Sequence, residues 1–141
     1  MRVLGIDIGE RRIGIAISDE YQWIANPYSV IDKKIADSYI CDILKIVEDN
    51  EIEKIVVGLP LKLDGNVGIE GEKAIKFREE IKEESDIPVI LWDERFSSIS
   101  ANRILLDADM SRKKRKKVID KMAAAIILQS YLDSEQNKSG K

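Results

Sequence analysis

Three acidic sites that are far apart in the sequence have the residue type and local setting of metal-binding carboxylates. Asp7 ends the first apolar run of the chain, and Asp120 lies on a helical stripe that is otherwise apolar. A carboxylate in either setting is costly to desolvate unless a cation or hydrogen-bond donors meet it. Asp93 and Glu94 together end a later apolar run. Their spacing does not choose between them, and either could instead pair with Arg95.

The chemistry open to such a cluster is that of a hard divalent cation. The chain contains no histidine, which excludes Ser-His-Asp triads, histidine bases and histidine-bound zinc. Two carboxylates about 5 Å apart repel by roughly 3 kcal/mol at an effective dielectric constant of about 20. Three such pairs would remove much of the about 5–15 kcal/mol that stabilises a domain. Either one acid stays protonated, or Mg²⁺ or Mn²⁺ occupies the centre and activates a water molecule against a phosphate ester.

A basic run lies shortly before Asp120. Residues 112–117 are six consecutive lysines and arginines, although the net charge of the chain is −3. Lys113, Lys116 and Lys117 precede Asp120 by seven, four and three residues. They share its face if the helix begins early enough. A local basic patch on an acidic protein is typical of a polyanion-binding surface, although a basic run alone also fits a solvated helix start.

The predicted secondary structure shows how these residues could meet. Apolar runs predict strands at residues 2–7, 13–18, 28–31, 54–57 and 88–92. Helical spacing predicts helices at about residues 34–49, 69–84, 97–106 and 112–132. The first three strands suit antiparallel pairing, and the two later strands, each reached through a helix, suit right-handed parallel crossovers. We therefore predict an α/β fold with a five-stranded mixed sheet, three antiparallel strands followed by two parallel ones, and helices on both faces.

Small residues mark the surfaces on which the first hairpin and the last helix should pack. On the second strand, the small residues that alternate with isoleucines are Gly14, Ala16 and Ser18. On the last helix, the residues that share a face with Asp120 are Ala123, Ala124, Ile127 and Tyr131. Packing these surfaces together would bring Asp120 beside Asp7.

Composition indicates one soluble domain. The chain has 141 residues, 44% hydrophobic and 35% charged. It has no apolar stretch near the ~20 residues of a membrane span. We expect a domain at residues 1–133 and a flexible tail at residues 134–141. The single cysteine, Cys41, is expected on the buried side of a helix, and its being alone fits a reducing cytoplasm.

Several motifs in the right order resemble one known family. They are Asp7-Ile8-Gly9 with Arg12-Ile13-Gly14-Ile15-Ala16, Gly58-Leu59-Pro60, Asp93-Glu94-Arg95-Phe96-Ser97 and Asp120-Lys121-Met122-Ala123-Ala124. The chain closely resembles the YqgF (RuvX) family, small bacterial proteins with an RNase H-like fold. They are described as candidate pre-16S rRNA nucleases and, earlier, as Holliday-junction resolvase-like proteins. The resemblance implies that Asp7, Glu94 and Asp120 are the metal-binding acids, which favours Glu94 over Asp93.

The leading functional hypothesis is a metal-dependent endonuclease that acts on structured RNA. Mg²⁺ or Mn²⁺ would be its cofactor, and Arg12, Lys62 and the lysine run would contact phosphates. The resemblance implies that the substrate is the 5′ end of the small-subunit rRNA precursor. Branched DNA is an alternative substrate, and an RNA-binding assembly factor without chemistry is an alternative function. An ATP-binding domain of the actin type is disfavoured because it needs two lobes. We expect no membrane partner, and the sequence does not show the oligomeric state.

Overall fold

The structure, a computed structural model, describes residues 1–35, 38–62, 64–94 and 112–139, of which 112–120 and 139 are described by their backbone alone. The strands are β1 (Arg2–Ile8), β2 (Arg12–Ser18), β3 (Ala25–Asp32), β4 (Ile52–Leu59) and β5 (Val89–Asp93). The helices among these residues are α1 (Tyr39–Asp49), α2 (Ile69–Glu84) and α3 (Arg112–Ser139). None of the helices described here is both long and apolar enough to cross a membrane.

The five strands form one mixed sheet in the order β3-β2-β1-β4-β5. β1 pairs with β2 and β2 with β3 in antiparallel fashion, whereas β1 with β4 and β4 with β5 are parallel. The predicted fold class is confirmed. β1, β4 and β5 therefore end at the same side of the sheet, which we call the carboxyl edge (the ends at Ile8, Leu59 and Asp93).

Each face of the sheet carries its own hydrophobic core. Under α1 and α2, the fully buried side chains include Leu4, Ile6, Ile13, Ile15, Ile43, Ile55, Phe77 and Ile81. On the other face, α3 packs on small residues, and this core includes Val3, Ala16, Val56, Ala123, Ala124, Ile127 and Leu128. Fully burying a large apolar side chain such as Phe77 contributes about 1.5–3 kcal/mol. The predicted packing of the last helix on the small-residue face is confirmed.

The boundaries of two elements differ from the predictions. α1 begins at Tyr39 rather than at about residue 34, because the Ser38 side chain accepts a hydrogen bond from the Cys41 N–H and caps the helix there. Ile35, which fits the helical spacing, lies before the helix and is 78% exposed. The expectation that Cys41 is buried is wrong, since it is exposed. β3 begins at Ala25, three residues earlier than expected.

The chain end also differs from the prediction. We expected a frayed tail from Ser134, whereas α3 continues to Ser139. The Gln136 side chain donates to the Gln22 carbonyl oxygen at 3.2 Å and so holds the late turns of the helix against the protein. The predicted short helix at residues 97–106 lies outside the described residues.

A buried hydroxyl joins β2 to the start of β1. Ser18 is 2% exposed, and its Oγ accepts a hydrogen bond from the Val3 N–H at 2.8 Å. Replacing Ser18 by alanine should lower the free energy of unfolding by about 1–3 kcal/mol, because a buried donor loses its partner. Urea denaturation measures this loss. A change below about 0.5 kcal/mol, the size of an ordinary surface substitution, would contradict it.

Candidate active site

Asp7 lies near the end of β1 on the face that α3 covers. The Gly5 backbone, two residues earlier on the same face, contacts α3. Asp7 is only 8% exposed, and among the described residues it is the one charged side chain that is buried. Burying a carboxylate is favourable only where donors or cations offset its lost hydration. The fold thus accommodates a negatively charged side chain at the end of β1.

Glycines flank Asp7 on both neighbouring strands. On β2 its partner is Gly14. On the other side, Ile6 pairs with Val57 of β4, so the next residues, Asp7 and Gly58, lie side by side. Since neither glycine has a side chain, the space above them is left to groups that arrive from elsewhere.

Glu94 fills the space above Gly58. It follows the last residue of β5, and its Cγ and Cδ lie 3.2 and 3.3 Å from where a Cβ on Gly58 would be. The same Cβ would lie 2.5 Å from Ile127 Cδ1 of α3, so this side of Gly58 belongs to the face of the sheet that α3 covers. The Glu94 carboxyl group therefore reaches across β4 on the side of the sheet that carries Asp7. The structure places two of the three predicted acids on one face of the carboxyl edge.

The direction of α3 follows from its contacts along β1. Near the start of β1, the Lys54 ammonium lies 5.3 Å from the Tyr131 ring centroid, and Lys54 pairs with Val3. Farther along β1, a Cβ on Gly5 would lie 3.1 Å from the Ala124 carbonyl oxygen. Contacts move toward the N-terminus of α3 as β1 advances, so the helix and the strand run antiparallel.

This direction brings the α3 backbone at Asp120 level with Asp7. Asp120 lies one turn before Ala124, a rise of about 6 Å, and Asp7 lies two residues beyond Gly5, an advance of about 7 Å. Because the distance along α3 and the distance along β1 are nearly equal, the Asp120 backbone lies beside Asp7. The Asp120 side chain lies outside the described part of the chain, so the meeting of all three carboxylates stays a prediction.

The donor set fits a hard divalent cation. Asp7 and Glu94 offer carboxylate oxygens, which Mg²⁺ and Mn²⁺ prefer. Within the described ranges no three histidine, cysteine, aspartate or glutamate side chains form a group that could hold a metal. Asp120 is a further acid whose backbone position suits a ligand at this site.

The turn after Asp7 is held by a lysine that the sequence does not single out. The Lys33 ammonium donates to the Gly9 carbonyl oxygen at 2.8 Å, and the Lys33 N–H donates to the Arg11 carbonyl oxygen at 2.8 Å. Burial, and then the nearby charge of Lys73, lower the pKa of Lys33. These bonds fix the loop between β1 and β2, which also positions Arg12 at the start of β2.

The predicted phosphate-binding residues lie at or near the same edge. Arg12 begins β2 next to the turn that follows Asp7, and Lys62 lies just beyond the end of β4. α3 begins at Arg112, early enough for the backbone positions of the lysine run to precede Asp120 within one helix. The side chains of Lys113, Lys116 and Lys117 lie outside the described part of the chain, so their phosphate contacts stay a prediction.

Comparison with known proteins decides the family. Residues 1–134 match the RuvX family, described as Holliday junction resolvase. The chain belongs to the RuvX family. Two relatives bear the name "Putative pre-16S rRNA nuclease". One, from Caldanaerobacter subterraneus, is 51% identical over 97% of this chain and 99% of its own length. The other, from Desulforamulus reducens, is 46% identical over 95% of this chain and 98% of its own.

Solved structures share the fold of this RuvX chain. Thermus thermophilus RuvC, determined with a Holliday junction substrate, is 14% identical over 96% of each chain, with a TM-score of 0.59. The fowlpox virus Holliday junction resolvase is 15% identical over 95% of this chain and 99% of its own, with a TM-score of 0.55. The RNase H-like architecture predicted from the sequence is confirmed. The RuvX chain is a member of a nuclease family, and nucleases hydrolyse phosphodiester bonds.

Two features of the RuvX site could not be found from single residues. Gly58 matters because Glu94 lies over it, a contact between β4 and the residue after β5. In the sequence, Gly58 is marked by the Gly58-Leu59-Pro60 motif and by its place after the apolar residues 55–57, but neither shows which side chain lies over it. The hydrogen bond from Lys33 to Gly9 has no sequence signal, because it joins residues 24 positions apart.

Proposed function

We propose that this protein is a divalent-metal-dependent endonuclease whose substrate is structured RNA, most specifically the precursor of 16S rRNA. The observation that carries the proposal is the Glu94 carboxyl group reaching over Gly58 on the face of Asp7. A nuclease of this fold needs a cluster of oxygen ligands beside a surface that accepts phosphates. Asp7, Glu94 and Asp120 would supply the ligands.

The residues of the site divide between metal binding and substrate binding. A bound Mg²⁺ or Mn²⁺ would supply activation of water and stabilisation of the leaving oxygen. Asp7, rigid because it lies within the sheet, would fix the position of the ion, and Glu94 would complete the site from the other side of Gly58. Arg12 and Lys62 would hold the phosphates that flank the scissile bond through charge-assisted hydrogen bonds.

The choice of RNA rests on the relatives. Those that are 46% and 51% identical carry a pre-16S rRNA nuclease name, whereas the chains whose titles name Holliday junction DNA are 14% and 15% identical. Phosphate contacts serve RNA and DNA alike. An rRNA substrate would also make ribosome biogenesis in the cytoplasm the setting of the activity.

Substrate choice is tested by direct competition. A 16S precursor fragment and a four-way DNA junction, each end-labelled, are incubated with the wild type and with Glu94→Gln in Mn²⁺. We expect the wild type to cleave the precursor faster than the junction. Glu94→Gln should be slower by on the order of 100-fold or more, because a ligand matters at least as much as the groups that orient ligands.

The two alternatives give different results in that assay. Faster cleavage of the junction, lost in Glu94→Gln, would identify a DNA resolvase. Binding of the precursor without cleavage by either protein would identify an RNA-binding factor without chemistry.

A further inference from the structure

A cleft of about 330 Å³ lies at the carboxyl edge, where β4 leads into α2, the helix on the face of the sheet opposite to α3. Its walls are two segments: residues 60–62, which continue from the end of β4, and residues 68–71, which begin α2. Pro60 is two residues beyond Gly58, an advance of about 7 Å along an extended chain. The cleft thus begins within a short reach of the Glu94 carboxyl group.

The cleft is preformed. The loop between its two walls closes through a bridge between Leu61 and Val67. The Lys62 N–H donates to the Asn66 carbonyl oxygen at 2.9 Å, and the Gly65 N–H donates to the Lys62 carbonyl oxygen at 2.8 Å. Gly65 has a φ of 88°, a conformation that favours glycine. A binding surface held in this way loses little conformational entropy when a ligand enters.

The back of the cleft is closely packed. A Cβ on Gly71 would lie 2.8 Å from both the Pro60 carbonyl oxygen and Val67 Cγ1. α2 therefore sits directly against the end of β4, and only a residue without a side chain fits there. This contact keeps the two walls at a fixed separation.

The lining combines an apolar surface with one cation at the rim. Ile69 is 75% exposed although it belongs to a helix, and Pro60 and Leu61 line the cleft with it. A Cβ on Gly68 would lie 3.0 Å from Lys62 Cε, so the aliphatic part of Lys62 lies along the Gly68 backbone. Glu70 also lines the cleft, but its carboxylate pairs with the Lys73 ammonium at 3.1 Å.

We propose that this cleft binds one unpaired nucleobase of the substrate, next to the phosphate that is cleaved. Ile69 and the wall at residues 60–61 would contact the face of the base, and Lys62 would contact an adjoining phosphate. Proteins hold unstacked bases by contacts on the face of the base, commonly from aromatic side chains and also from inserted apolar ones, together with cations on the phosphates. This cleft offers the apolar kind of contact and Lys62. The inference rests on the proposed nuclease function and adds to it a requirement for an unpaired nucleotide beside the cut.

A nucleobase fits the cleft better than a protein segment. The cleft is small and flanks the edge at which the phosphodiester chain must lie if Asp7 and Glu94 hold the metal. Lys62 is complementary to a phosphate, and it reaches the same cleft as the exposed Ile69. A base and its own phosphate are joined covalently, so one nucleotide can satisfy both contacts at once.

The test compares two fluorescein-labelled RNA ligands that differ only in their bases. Each is a duplex with a short single-stranded 5′ extension, and in one of them the extension is abasic. Binding is measured by fluorescence anisotropy without divalent cations, so that nothing is cleaved. We expect the wild type to bind the extension with bases at least about fivefold more tightly than the abasic one.

Three variants separate the contributions. Ile69→Ala should lose most of the preference for bases and still bind the abasic ligand like the wild type. Lys62→Ala should weaken binding of both ligands by a similar factor. Ile24→Ala removes the same side chain at a position 58% exposed, after the end of β2 that lies away from the carboxyl edge, and should behave like the wild type. Because Ile69 is 75% exposed, its truncation leaves both cores intact.

The outcomes separate this inference from the proposed function. Equal affinity of the wild type for the two ligands, with cleavage of precursor RNA retained, would overturn the cleft assignment and leave the nuclease standing. An unchanged preference in Ile69→Ala would overturn it equally. Failure to bind or cleave any nucleic acid would overturn both.

Discussion

Asp7→Asn should abolish metal-dependent cleavage while the protein stays folded. The substitution keeps the shape of the side chain and removes its negative charge, so the 8% exposed position stays filled. An amide oxygen is a weaker ligand for Mg²⁺ or Mn²⁺ than a carboxylate oxygen. We expect the cleavage rate to fall on the order of 100-fold or more. Single-turnover cleavage of the precursor fragment measures it.

The same variant gives a second result that does not depend on activity. A ligand at about one hundred times its dissociation constant stabilises a protein by about 2.7 kcal/mol. Wild-type protein should therefore unfold several degrees higher in Mn²⁺ than in a chelator, whereas Asp7→Asn should show little difference. In the chelator both proteins should still give a cooperative unfolding transition, which shows that the variant is folded.

Asp49→Asn is the matched control for Asp7→Asn. Asp49 is an exposed residue at the end of α1. Its substitution removes the same charge at a position outside the candidate site. It should keep both cleavage and the stabilisation by Mn²⁺. Cleavage by Asp7→Asn at the wild-type rate would contradict the role of Asp7 as a metal ligand.

The sequence was sufficient to predict the sheet because its strands are apolar on both faces or alternate cleanly. β4 contains Ile55, Val56 and Val57, all fully buried, which is typical of a central parallel strand covered by helices on both sides. Because α2 lies between β4 and β5 in the sequence, a parallel pairing of these two strands was expected. The kinds of pairing followed from these rules, whereas the strand order, with β1 beside β4, is known only from the structure.

The ends of elements were less predictable because capping competes with hydrophobic spacing. Ile35 falls at a position that fits the α1 pattern, yet the helix begins after Ser38, whose side chain accepts a hydrogen bond from the Cys41 N–H in the first turn. α3 extends past the last predicted turn because Gln136 reaches the loop at Gln22. That hydrogen bond joins residues 114 positions apart, so no local pattern contains it.

The candidate site was predictable in residue type but not in geometry. An aspartate at the end of an apolar strand is visible in the sequence, and so is the acidic pair after β5. The motif resemblance favoured Glu94 over Asp93. The structure adds a physical reason, since the Glu94 side chain lies over Gly58 on the α3 face of the sheet. This relation depends on the register of β4 against β5, which pairs Gly58 with Trp92.

The largest contrast should come from adding one methyl group at either of two glycines on the α3 face. In Gly58→Ala the new Cβ would meet Ile127 Cδ1, the flexible end of a side chain, and would lie 3.2 Å from Glu94 Cγ. In Gly5→Ala it would lie 2.6 Å from Leu128 Cβ and 3.1 Å from the Ala124 carbonyl oxygen, which cannot move without the helix. The first change disturbs a carboxylate, and the second disturbs the packing of α3.

We therefore expect the two variants to fail in different ways. Gly58→Ala should lower the cleavage rate about tenfold to 100-fold, because shifting a catalytic group by a fraction of an ångström is costly. Its stability should stay within about 1 kcal/mol of the wild type, because alanine is better than glycine inside a strand. Gly5→Ala should lose about 1–3 kcal/mol of stability through overpacking.

Urea denaturation and single-turnover cleavage, measured on both variants, distinguish a loss of stability from a loss of cleavage rate. At a temperature where Gly5→Ala is still folded, its cleavage rate should fall less than that of Gly58→Ala. If Gly58→Ala cleaves at the wild-type rate, then the Glu94 carboxyl group does not need the space above Gly58. The site would in that case lie elsewhere on the carboxyl edge.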